Sequence, residues 1–207
     1  MNKDKLSDIF SLNVNSYEKH HKEVTEKTTF EKWGMGILPP LTLTPYDIEL
    51  LGHKRGKMLK KLSSPSKNRF KYLYDKDNCL LSMLSFAEQW DDGEWLQYEE
   101  IYTYEPSGIL QFIYADVANS AHARLQRVTY LSNIKANLKK IFCFHENGFY
   151  EEIEYLYDNE KVIAIEMHLW LESYFERSFK LSHDGKEISI TELANGKIHQ
   201  IYPKKRL

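Results

Sequence analysis

Cysteine is almost absent from this 207-residue chain. Cys79 and Cys143 are far apart, with neither metal-ligand spacing nor a disulfide framework around them. The simplest expectation is two reduced thiols in the cytoplasm. No stretch approaches the ~18 consecutive apolar residues of a membrane helix, and Met1–Phe10 has no apolar core of a secretory leader. A basic excess is also missing. The formal net charge is −2, whereas a protein that neutralises nucleic-acid phosphates normally carries a clear positive surplus. Nucleic acid therefore ranks low as a partner. Glycine (9) and proline (6) are scarce, so each one present carries information about a turn or a break.

Signatures of catalysis are missing as well. There is no His-Glu-x-x-His, Cys-x-x-Cys, phosphate-binding glycine loop or Gly-x-Ser-x-Gly elbow. His20 and His21 are adjacent, so on a helix they point about 100° apart and cannot easily share a metal. Cys143 and His145 would share one strand face. They could form an activated thiolate pair, but a buried cysteine beside a turn histidine is the commoner arrangement. No cofactor or metal is expected, and no catalytic residue is assigned.

Aromatic residues are abundant, with 14 Tyr, 10 Phe and 4 Trp. Flat side chains suit a pleated, half-buried surface. From Phe70 onward, short aromatic and β-branched segments alternate with turn signals. Ile163, Ile165, Met167, Leu169 and Leu171 alternate strictly with Ala164, Glu166, His168, Trp170 and Glu172, which is the period of a strand. Asp92-Gly93, Asn147-Gly148, Asp184-Gly185 and Asn195-Gly196 are pairs that supply the positive φ angles of tight hairpins. Residues 117–137 are less regular, with a strand expected around Arg127–Leu131. Before residue 63 the text differs. A helix is expected over residues 16–33. A second starts at Thr44-Pro45, where Thr caps and Pro suits the first turn, and runs to Gly52 or toward Leu62.

The expected fold is α+β, mostly β: about eight to eleven antiparallel strands in a hairpin meander, forming one curved sheet or partial barrel. An N-terminal helical segment (1–62) would pack on the β domain (63–207). Parallel α/β is disfavoured because crossover-helix patterns are missing.

Tyr72-Leu-Tyr74-Asp75, Tyr102-Thr-Tyr104-Glu105 and Tyr155-Leu-Tyr157-Asp158 each precede a turn and an apolar return. This resembles the Tyr-Asp repeat of Rhs-type bacterial proteins over residues 70–203, with Asn78 and Lys161 where that repeat prefers Gly. The resemblance implies an antiparallel sheet and no catalytic residue. In size, hairpin composition and missing chemistry the chain also resembles immunity proteins of bacterial polymorphic toxin systems.

The first functional expectation is therefore a non-enzymatic protein-binding role, an immunity protein that occludes a toxin domain. Asp91, Asp92, Trp95, Tyr98, Glu99, Glu100, Tyr102, Glu151, Glu152 and Trp170 are the expected contacts, because Tyr and Trp anchor interfaces and carboxylates suit a basic partner. The competing expectation is a small-ligand site, with or without turnover, in a concave pocket lined by Tyr98, Tyr102, Phe112, His145 or His168. The basic run Lys54–Lys61, echoed by Lys204-Lys205-Arg206, reads as a solvated face or a phosphate contact.

Overall fold

Helix α1 (Lys3–Asn13) starts where the Asn2 side chain accepts the Lys5 N–H at 3.1 Å, and it buries Leu6. Helix α2 (Tyr17–Lys27) buries Tyr17 and Val24. It stops at Thr28-Thr29, where β-branched residues turn the backbone extended. These details come from a computed structural model that describes residues 1–91, 93–132, 138–185 and 187–203.

The helix expected over 16–33 is thus a helix followed by a strand. Strand β1 (Phe30–Met35) pairs with β3 (Arg69–Tyr74), and the Phe30 ring stacks on Tyr74 at 5.1 Å. The helix expected from Thr44 is a single turn, α3 (Asp47–Leu50), with Tyr46 left-handed at its start. Strand β2 (Lys57–Met58) interrupts the basic run. The N-terminal 62 residues are therefore partly strand and belong to the same sheet as the rest.

Beyond β3 come β4 (Leu80–Gln89), β5 (Trp95–Glu105), β6 (Gly108–Ala115), β7 (Arg124–Ser132), β8 (Lys140–His145), β9 (Tyr150–Asp158), β10 (Lys161–Trp170), β11 (Tyr174–Asp184), β12 (Glu187–Ala194) and β13 (Lys197–Tyr202). Among the described residues all thirteen strands form one open antiparallel sheet in the order β13 through β3, then β1, then β2. Each strand from β3 onward pairs with its sequence neighbour. Gly93, Gly148, Gly185 and Gly196 all take positive φ, and Asn78 at φ 62° does the same where the repeat resemblance wanted glycine.

Both faces of the sheet carry a cover, the helix face over β4, β5, β7 and β8 and the opposite face over its middle. On one, Leu73, Ile101, Phe112, Tyr114 and Val128 meet Leu6, Tyr17 and Val24 of the helices. On the other, Tyr72, Tyr102, Ile141, Tyr155, Ile165 and Phe179 meet Leu43, Tyr46 and Leu50. Those three residues belong to a strap, residues 36–56. Its neck is tight: a Cβ on Gly36 would lie 2.7 Å from the Gly56 Cα, and one on Gly56 would lie 2.4 Å from the Met35 carbonyl oxygen. Tyr72 Oη donates to the Leu41 carbonyl at 3.2 Å, and Tyr155 Oη donates to the Pro45 carbonyl at 3.0 Å. Further along, α3 touches β13. The strap thus spans from β3 past β9 to the far edge, and the sheet curves around it.

Candidate functional site

Strand alternation sends the expected acidic contacts in different directions. Glu99 points to the helix face and is 0% exposed. It accepts from Tyr17 Oη at 2.9 Å and from Ser82 Oγ at 2.5 Å, and it meets His21 Nδ1 at 2.8 Å. Glu99 is the anchor of α2 and is closed to a partner. The Glu99 hydrogen bond raises the His21 pKa, although burial works against it.

Glu100 points to the strap face. It accepts from Tyr102 Oη at 2.7 Å and Gln111 Nε2 at 2.6 Å, and burial pushes its carboxyl up. Glu151 is 9% exposed and meets His145 Nε2 at 3.1 Å. Burial raises its carboxyl, but His145 and the Arg127 charge outweigh that and leave it below the usual range. Glu100, Tyr102 and Glu151 are therefore interior groups, and as surface contacts they are corrected along with Glu99.

The remaining expected contacts fall into two groups. Asp91 is exposed on the β4–β5 turn near half-buried Trp95, whose ring meets Phe86 edge-on; Tyr98 is also half-buried, and Asp92 lies outside the described residues. Glu152 and Trp170 lie on the helix face of β9 and β10, beyond β4, β5, β7 and β8 where the helices sit. There the Trp170 ring meets Tyr150 and Tyr174 at a tilt, with centroid spacings of 5.3 and 5.2 Å, and His168 lies parallel to Tyr174. Tyr150 Oη donates to Glu152 at 2.7 Å, and Tyr174 Oη donates to Glu176. Tyr174 is 47% exposed. The β10–β11 hairpin pairs Trp170 with Tyr174, so the array is held on a rigid sheet.

The expected ligand pocket also divides. Tyr102 and His145 are on the strap face, while Phe112 sits in the helix-face core and His168 in the aromatic array. A cavity of about 270 Å³ does lie between strap and sheet, but other residues line it: Asp47, Ile48, Gln111, Arg127, Thr129 and Glu151 among them. Comparison with family models, curated proteins and solved structures gives no match. Burial, then the Glu151 charge, pushes the Cys143 thiol up to about 12, so it stays protonated and the activated-thiolate reading fails. Among the described residues no group of three His, Cys, Asp or Glu side chains is placed to hold a metal. Among the described residues no helix is long and apolar enough to cross a membrane.

The basic run does not form one face. Arg55 turns inward and pairs with Asp47 at 2.8 Å, Glu49 at 3.0 Å and Thr42 at 2.8 Å, fastening the strap to itself. Lys54, Lys57, Lys60 and Lys61 are exposed on irregular chain and β2, and Lys204-Lys205-Arg206 lie outside the described residues.

Proposed function

We propose that this chain is a non-enzymatic protein-binding module that neutralises a toxin domain by covering its working surface, as a cytoplasmic bacterial immunity protein does. The observation that carries the reading is the array of His168, Trp170 and Tyr174, exposed or half-buried, seated on buried Tyr150 and edged by Glu152 and Glu176. Aromatic side chains with few rotatable bonds bury large areas at small entropic cost and dominate binding energy at interfaces. Two carboxylates at the rim favour a basic partner, because complementary charge steers encounter. The docking surface is thus narrower than the full set of aromatic and acidic residues: it keeps Glu152 and Trp170 and adds Tyr174 and Glu176.

The test is capture of tagged protein from its native lysate, read by mass spectrometry, followed by co-expression with the captured toxin. Trp170→Ala combined with Tyr174→Ala is expected to weaken capture about thirtyfold or more, with loss of protection. Equal capture by this variant, or protection that survives it, would overturn the reading.

A further inference from the structure

Around the cavity beneath the strap, each charged group but one has its own partner. Asp47 is held by Arg55, Glu151 by His145, and Glu100 by Tyr102 and Gln111. Arg177 forms a two-pronged pair with Glu192 at 2.7 and 3.2 Å. Arg127 is the exception. Its Nε is buried with no hydrogen-bond partner, and among the described residues no carboxylate comes within ion-pair distance of it. Glu100 and Glu151 act on it only at longer range. Thr129 lies two residues along β7, on the same face. It is 2% exposed, and the one polar group its Oγ1 meets is the weakly bonding Cys143 thiol across on β8.

Buried polar groups in folded proteins are nearly always satisfied, so a partnerless Arg127 Nε beside a weakly bonded Thr129 hydroxyl asks for an explanation. Arg127 is half-buried, and its guanidinium has no counter-ion among the described residues. Both residues line one cavity, and much of its remaining wall is apolar: Ile48, Leu50, Ile141, Ile153 and Met167. A guanidinium prefers a planar, two-oxygen anion.

We propose that this cavity binds a small monocarboxylate with an apolar body. The carboxylate lies on the Arg127 guanidinium, the Thr129 hydroxyl donates to one of its oxygens, and the body lies against Ile48, Ile141 and Met167. A single negative charge fits best, because Glu100 and Glu151 already flank the site and a dianion would be repelled. The volume limits the body to a short aliphatic chain or one ring.

Hexanoate and phenylacetate are the probes, titrated calorimetrically against the full chain, with hexanol and phenylethanol as uncharged counterparts. At least one acid is expected to bind one-to-one, about tenfold or more tighter than its alcohol. Arg127→Met is expected to remove that preference. If this variant does not fold, Thr129→Val replaces it, with a several-fold loss expected. Methyl-labelled methionine spectra of the unsubstituted chain locate the probe, and the Met167 resonance is expected to move. Binding of neither acid, equal binding of acid and alcohol, or shifts confined to other methionines would overturn the proposal. Toxin capture is independent of this site and should survive Arg127→Met, so failure here leaves the docking surface standing.

Discussion

The two faces of this sheet treat buried charge in opposite ways. On the helix face, Glu99 is wholly enclosed and has three side-chain partners from α2 and β4. On the strap face, Arg127 is half-buried, its Nε is enclosed, and among the described residues it has no side-chain partner. A saturated ion contributes to holding two layers together. An unsaturated one costs stability and makes sense where something else completes it. One face satisfies its buried charge from within, and the other leaves Arg127 Nε without a hydrogen-bond partner.

Substitutions can break that contrast. Glu99→Ala should have the largest effect, a loss of about 3 kcal/mol in chemical denaturation, because it orphans the Tyr17 and Ser82 hydroxyls and frees α2. Gly56→Ala should come next, at about 2 kcal/mol, since its methyl would meet the Met35 carbonyl and force the strap neck open. Arg127→Met should raise stability slightly, by about 1 kcal/mol or less in the same assay, because an unpartnered charge is removed and no ion pair among the described residues is lost. A loss of several kcal/mol would show that Arg127 is a structural ion and would erase the contrast.

The smallest effect is on pH dependence. The Glu99 hydrogen bond raises the His21 pKa in the folded state. Its stabilising contribution is then fully present below about pH 6.5, the ordinary histidine value, and fades as pH rises through the folded pKa. Glu99→Gln should flatten this part of the stability profile between neutral and mildly acidic pH, as read by thermal denaturation.

Much of the sheet is legible in the amino-acid sequence because hairpins are local. The Asx-Gly pairs mark turns, and the alternation from Ile163 to Leu171 marks β10. Phe30–Met35 is harder. Its spacing suits a helix face, and only pairing with the distant Tyr74 and Phe70 makes it a strand. Thr44-Pro45 carries good helix-start chemistry, yet only one helical turn forms, because Tyr72 and Tyr155 tie the strap to the sheet and Arg55 ties it to itself. The site was partly readable. Adjacent Glu99 and Glu100 had to face opposite sides, but composition does not reveal that both sides are covered. Arg127 and Thr129 were missed. Their one local signal is that Arg127 and Thr129 alternate with apolar Val128 and Tyr130 in the middle of β7.

The strap also imposes an order of assembly. Residues 36–56 leave the ribosome long before Tyr155 and β13, the later groups that receive them. The early hairpins can zip up as they emerge, since their partners are sequence neighbours. The strap must wait, its apolar side unsheltered, until the second half of the sheet is synthesised and curls over it. The cavity is therefore the last part of the molecule to exist, and a nascent chain stalled after β8 would have the Glu99 anchor complete and no chamber at all.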